Sequence, residues 1–149
     1  LKDRDYLIVA PLQDDKESHE EYLIYPNSKN DHYPQLPFRL EVESHNYTSQ
    51  FKIVKDPSII YLDDQAVQFP LKLRRWQKGD WFIPFGMKGK KKLSDFFTDN
   101  KFSLFQKEET WVLLSAQDIV WVVNHRADNR FKISHQTQKV HAIQLFKQS

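Results

Sequence analysis

Two apolar runs separated by three residues constrain this chain more than anything else in it. Trp111-Val112-Leu113-Leu114-Ser115 and Ile119-Val120-Trp121-Val122-Val123 flank Ala116-Gln117-Asp118. Each run is too short for a stable helix and rich in β-branched and aromatic residues, and the connector is short, so the pair reads as a β-hairpin. Neither run alternates with polar residues, so both faces of the hairpin are buried. With 40% hydrophobic residues, eleven Phe and four Trp among 149 residues, the chain has the apolar surface to bury such a hairpin.

The remainder is also strand-rich. Tyr6-Leu7-Ile8-Val9 stops at Pro11, and Glu21 to Tyr25 stops at Pro26, before a polar loop from Asn27 to Pro37. Phe38, Leu40 and Val42 alternate with Arg39, Glu41 and Glu43, which predicts a half-buried strand of an antiparallel sheet. Phe51 to Val54, Ile59 to Leu62, Arg130 to Ile133 and Val140 to Phe146 read as further strands, with a turn at Asp63-Asp64. Leu93 to Lys101 is the best helix candidate. Ser94 is its expected cap, Asp95 lies in its first turn, and Phe96 and Phe97 form its apolar face. Residues 1–68 and 69–149 form two halves, expected to make one compact unit of α+β class.

Several function classes drop out. There is no cysteine, hence no disulfide framework or thiolate chemistry. No run of about 18 apolar residues offers a membrane span. The N-terminus, Leu1-Lys2-Asp3-Arg4-Asp5, is no signal peptide and lacks an initiator Met; a piece of a longer, cytoplasmic protein is expected. The six histidines show no metal-ligand spacing, and no nucleotide loop or nucleophile motif is evident. A free-standing enzyme is therefore the weakest reading.

Charge is unevenly placed. From Leu71 to Lys92, Lys72, Arg74, Arg75, Lys78, Lys88, Lys90, Lys91 and Lys92 face one acid, Asp80, for a local charge of +7. The remaining 14 basic and 19 acidic residues leave −5 on the rest. A basic block on an acidic body points to a polyanionic partner. All three glycines, Gly79, Gly86 and Gly89, lie within this block beside Pro84, which predicts a shaped loop.

The order of motifs in this region carries a resemblance. Arg75-Trp76-Gln77-Lys78-Gly79-Asp80, then Pro84-x-Gly86-Met87-Lys88-Gly89, then Lys91-Lys92-Leu93-Ser94-Asp95-Phe96, resembles the C-terminal domain of bacterial tRNA(Ile)-lysidine synthetases. Ile119-Val120-Trp121-Val122 followed by Arg126-x-Asp128-x-Arg130-Phe131-Lys132 is similar to that family's closing motif. The likeness covers about Leu62 to Ile133, and residues 1–61 match more loosely. Trp81 departs from the family by replacing a basic residue, which removes one phosphate contact. Asn124-His125 replaces a glycine-containing turn.

The resemblance implies a layered antiparallel β-sandwich with short helices, shared with a domain of the phenylalanyl-tRNA synthetase β subunit. It implies that the whole enzyme ligates lysine to the wobble cytidine of a minor tRNA(Ile), using ATP with Mg. A missing N-terminal catalytic domain would hold that chemistry, leaving this fragment without a catalytic site. The fragment is expected to bind the tRNA acceptor region.

On this reading Arg74, Arg75, Lys78, Lys88, Lys90, Lys91, Lys92, Arg126 and Arg130 are the candidate RNA-binding residues. Phosphates and 2′-hydroxyls are what a protein grips on double-stranded RNA. Gly79, Asp80, Pro84, Gly86, Met87, Gly89, Ser94 and Asp95 are the candidate structural residues. The backbone N–H groups of Gly86 and Gly89 are candidate phosphate donors. Asp80 is expected to close a turn or pair Arg75, and Asp128 to pair Arg130. At least one of Trp76 and Trp81 is read as core, with stacking on unpaired bases at the tRNA 3′ end as the alternative. The competing function is a protein-interaction domain, with the basic loop docked on an acidic surface of another domain or of a second copy in a homodimer.

Overall fold

The computed structural model describes residues 20–29 and 33–147; the strand expected at Tyr6 to Val9 lies outside them. Its centre is the hairpin, β7 (Trp111–Ser115) and β8 (Asp118–Val122). These sit within a five-stranded antiparallel sheet of order β1-β4-β7-β8-β9, completed by β1 (Glu21–Ile24), β4 (Leu71–Arg75) and β9 (Arg126–Ala127). All five residues of β7 are buried. The reason is that this sheet has a layer on each side.

On one side lies a three-stranded antiparallel sheet, β2 (Phe38–Asn46), β10 (Lys139–Lys147) and β3 (Ile59–Asp63), with β10 in the middle. Leu40, Val42, Ile60, Leu62 and Ile143 from this sheet meet Leu71, Leu73, Trp111, Leu113 and Trp121 from the central one. The alternation foreseen for Phe38, Leu40 and Val42 is the buried face of β2. On the other side lie a two-stranded ribbon, β5 (Trp81–Phe82) with β6 (Lys91–Lys92), and helix α1 (Leu93–Asp99). Phe82, Leu93, Phe96 and Phe97 pack there on Val112, Leu114, Ile119 and Val122. Burying each such ring contributes about 1.5–3 kcal/mol. Between Leu113 and Leu114 the register with β8 slips, and Val120 is the extra residue. This bulge lets Val120 and Trp121 both serve the first core while Ile119 and Val122 serve the second.

The two sequence halves share these sheets. β1 pairs with β4, and β10 pairs with β2 and β3.

Three local expectations fail for identifiable reasons. Residues 51–56 form no strand, and Ile53 and Val54 are 44% and 56% exposed. A turn closed by Phe51 N–H on the Thr48 carbonyl and Pro57 bracket this segment, and Val54 N–H donates to Tyr61 Oη (2.9 Å) in place of a ladder partner. Arg130 to Ile133 is not a strand either. The Asp128 carboxylate accepts Arg130 N–H (2.7 Å) and winds Asn129–Phe131 into a 3-10 turn. Ser94 does not cap α1: β6 runs straight into the helix, Lys92 holds the cap position, and Leu93 N–H donates to the Asp80 carbonyl (2.9 Å). Asp95 does stand in the first turn.

Helix α2 (Leu104–Glu108) was not foreseen. A capping box fixes it, with Gln106 N–H donating to Ser103 Oγ and Ser103 N–H to Gln106 Oε1.

Candidate nucleic-acid interface

The basic block folds around two similar turns. In the first, Asp80 N–H donates to the Gln77 carbonyl (3.0 Å) and Gly79 takes φ +96°. In the second, Met87 N–H donates to the Pro84 carbonyl (2.8 Å) and Gly86 takes φ +87°. A positive φ at the third residue of a four-residue turn is what glycine supplies there. Each turn therefore lifts the residue before its glycine, Lys78 or Phe85, to an exposed tip.

The first turn is anchored by a half-buried carboxylate and the second by a fully buried one. Asp80 binds Arg74 bidentately (2.9 and 3.0 Å) and accepts Gln77 N–H (2.7 Å). The turn-closing role of Asp80 thus holds, while its ionic partner is Arg74, not Arg75. The reason is strand alternation: Arg74 shares the helix-side face of β4 with Lys72, opposite the core residues Leu71 and Leu73. Asp128, with a fully buried side chain, accepts Ile83 N–H (2.9 Å), Arg130 N–H, Arg130 Nε (3.0 Å) and Arg130 Nη2 (2.9 Å). Donating to the Asp128 carboxylate raises the Arg130 guanidinium above its ordinary pKa.

The closing motif seen in the sequence therefore clasps the glycine loop. Phe85 N–H donates to the Ala127 carbonyl (2.9 Å), Arg126 Nη2 to the Phe85 carbonyl (2.7 Å), Asn129 N–H to the Ile83 carbonyl (2.7 Å), and Gly86 N–H to Asn129 Oδ1 (3.0 Å). That last bond removes Gly86 N–H from the candidate phosphate donors. Asn124, in the Asn124-His125 turn that departs from the glycine-containing pattern of the resemblance, takes φ +67°. The left-handed turn is kept by the residue type that tolerates it best after glycine.

The block's cations fall into two groups. Lys72 lies 3.7 Å from Glu21. Arg74 is held by Asp80. Arg75 bonds the Glu108 carbonyl, lies 3.7 Å from Glu109, and covers the Trp111 ring. Lys91 pairs with Asp99. Arg130 is tied to Asp128. By contrast, Lys78, Lys88 and Lys92 are exposed and have no ion-pair partner among the described residues, and exposed Lys90 rests only on the Trp81 ring (4.3 Å). Arg126 is exposed, with one amino group engaged.

Both tryptophans of the block are committed. Trp76 donates its indole N–H to the Lys107 carbonyl (2.7 Å) and packs edge-on against Phe97. Trp81 has Lys90 and Arg130 over its ring. The exposed aromatic of this region is Phe85, 52% accessible, which sequence reasoning missed. Its position immediately before a turn glycine was the available signal.

Elsewhere the fold assembles a Ser–His–Asp chain. Ser44 Oγ lies 2.7 Å from His141 Nδ1, and Asp64 Oδ1 lies 2.7 Å from His141 Nε2. His141 is 2% exposed and abuts the Phe69 ring, so this chain ties β2 to β10 and to the turn after β3.

Known proteins match this geometry and sequence. Residues 71–144 fit the family described as the TilS substrate C-terminal domain. The tRNA(Ile)-lysidine synthase of Parabacteroides distasonis is 49% identical over 141 residues, covering 94% of this chain and 31% of that protein. The enzyme of the same name from Bacteroides thetaiotaomicron is 37% identical over 140 residues, covering 94% and 29%. The chain thus spans about a third or less of the curated relatives it matches. A crystal structure of a TilS C-terminal domain superposes with a TM-score of 0.68 at 17% identity, over 87% of this chain and 99% of that one. An N-terminal fragment of the Pyrococcus horikoshii phenylalanyl-tRNA synthetase β subunit gives 0.51 at 14% identity, over 58% and 27%. These likenesses show the layered fold expected from the sequence. Sequence and fold together show that the chain belongs to the family of C-terminal domains of tRNA(Ile)-lysidine synthases.

Proposed function

We propose that this chain holds tRNA for a lysidine ligase and performs no chemistry itself. Its substrate would be the acceptor region of a minor tRNA(Ile). Lysine, ATP and Mg would be handled by an N-terminal catalytic domain in the cytoplasm. The observation that carries this reading is the set of exposed lysines without an ion-pair partner among the described residues: Lys78 on the turn closed by Asp80, Lys88 and Lys90 just after the turn clasped by Asp128, and Lys92 at the end of β6. Rigid mounting lets cations meet a fixed phosphate spacing with little ordering cost. Arg126 extends the set. Arg74, Arg75, Lys91 and Arg130 support the scaffold that carries it. Docking on a protein is not favoured, because the names of the matched relatives all point to tRNA.

The test is the salt dependence of tRNA binding by this chain. Replacing Lys78, Lys88 and Lys92 together by Ala should weaken binding and reduce the slope of log K against log salt by about 3, near one unit per lost phosphate contact. An unchanged slope in the triple variant, with folding intact, would refute the assignment.

A further inference from the structure

Beside the clasp lies a groove of about 530 Å³, lined by Arg126 but by none of the four lysines of the proposed phosphate contacts. Ile53, Val54, Phe85, Trp121 and Ile133 supply its apolar lining. Phe85, Ile53 and Val54 are 52%, 44% and 56% exposed, so a substantial apolar surface faces solvent at its mouth. Isolated exposed apolar residues need no explanation, whereas a contiguous cluster marks a binding surface. Trp121 is fully buried, and its indole N–H has no acceptor among the described residues.

The rim carries Lys55, Arg126 and Lys132. Of the groove's two acids only Asp128 is neutralised; Asp56 keeps its charge, one anion against the rim's three cations. Asp128 is neutralised by Arg130, and Asp56 accepts the Ser58 N–H and hydroxyl, which lowers its pKa. The groove therefore pairs an apolar interior and an exposed aromatic ring with a cationic rim. It is also continuous along the chain with the lysine cluster, since Phe85 is three residues from Lys88.

We infer that this groove takes one unpaired nucleotide from the single-stranded 3′ end of the RNA, base against Phe85 and phosphate on Arg126 and Lys132. A nucleotide combines an apolar stacking face with an anionic phosphate, which suits an apolar slot with an exposed ring and a cationic rim. A duplex cannot enter, because its bases are stacked on one another and paired. Phe85 is the ring available for this, because Trp76 and Trp81 are both engaged within the fold. The inference rests on the tRNA-holding reading above and extends it from phosphates to a base.

The experiment compares two tRNA(Ile) transcripts, one complete and one lacking its unpaired 3′ nucleotides, binding to the 149-residue chain at fixed salt. The complete transcript should bind about five- to tenfold more tightly, the scale of one base–aromatic stack. Phe85→Ala should erase that difference while leaving binding of the shortened transcript unchanged. Phe85 sits exposed at a turn tip, so the variant should fold; Val54→Ser on the facing segment provides a second route to the same loss. Equal affinity of the wild-type chain for both transcripts would overturn the inference while leaving the lysine cluster standing. Failure to bind either transcript would overturn both readings. A sedimenting dimer that Phe85→Ala dissociates would show the groove to be a self-association surface and would likewise overturn it.

Discussion

Replacing Asp128 by Ala tests whether the clasp is the structural keystone of the glycine loop. The side chain is fully buried and accepts four hydrogen bonds, two from backbone N–H groups and two from the Arg130 guanidinium. Truncation leaves the 28%-exposed Arg130 side chain with only Asp118, 3.5 Å away, as an ionic partner. It also strands two backbone donors. Removing one partner of a buried ion pair costs about 3–5 kcal/mol. For a domain of this size that is a fall of roughly 10–15 °C in Tm. Asp128→Asn keeps an acceptor for one of the two backbone donors, which bind different oxygens of the carboxylate, and loses the charge, so it should cost less than the alanine, about 2 kcal/mol. Urea unfolding at equilibrium measures both, with the m-value as the check that unfolding stays two-state. In the cycle with Arg130→Met, the double variant should fall short of additivity by about 1–3 kcal/mol. A loss below about 1 kcal/mol for Asp128→Ala, at unchanged m, would refute the reasoning.

Four further substitutions, at three positions, probe backbone conformation. Gly86→Ala should destabilise by about 1–2 kcal/mol, since φ is +87° and a Cβ would meet nothing within 4 Å, leaving backbone strain as the sole cost. Gly89→Ala, with equal space and no positive φ, should be neutral or stabilising by up to about 1 kcal/mol in the same urea unfolding. Asn124→Gly should leave stability within about 0.5 kcal/mol, whereas Asn124→Val at φ +67° should lose about 1–2 kcal/mol; equal stability of the two variants would contradict the left-handed assignment.

The parts of the fold legible in sequence are those with an unmistakable hydrophobic pattern. The continuous runs around Trp111 and Trp121 announced a strand pair buried on both faces, and the alternation from Phe38 announced a face of the second sheet. Phe51 to Val54 has the same apolar look but lies at the open outer edge of β3, where nothing compels it to pair. Arg130 to Ile133 misled for a different reason. Its path is set by the Asp128 carboxylate, a local side-chain acceptor that outcompetes the ladder, and a hydrophobicity pattern does not register such an acceptor. Ser94 is a good capping residue at a helix start that needs no cap. The ribbon delivers Leu93 N–H to the Asp80 carbonyl, a contact between residues 13 apart in sequence.

The candidate site shows the same division in its electrostatics. Counted along the sequence, the block holds eight cations against one acid. Folding brings in acids from outside the block: Glu21 from the neighbouring strand, Asp99 from α1 and Glu109 from after α2. With Asp80 these engage Lys72, Lys91, Arg75 and Arg74. Half the block is thereby spent on joining the ribbon, the helices and the central sheet, and Lys78, Lys88, Lys90 and Lys92 remain to face a polyanion. The distinction has a measurable size. Eight phosphate contacts would give a salt slope of about −7, the four lysines alone about −3.6, and the lysines with Arg126 about −4.5. A slope close to the smaller values is what separates a built surface of four mounted lysines from a diffuse basic patch, because only in the former are the acids that fix the geometry also the ones that withdraw the other cations.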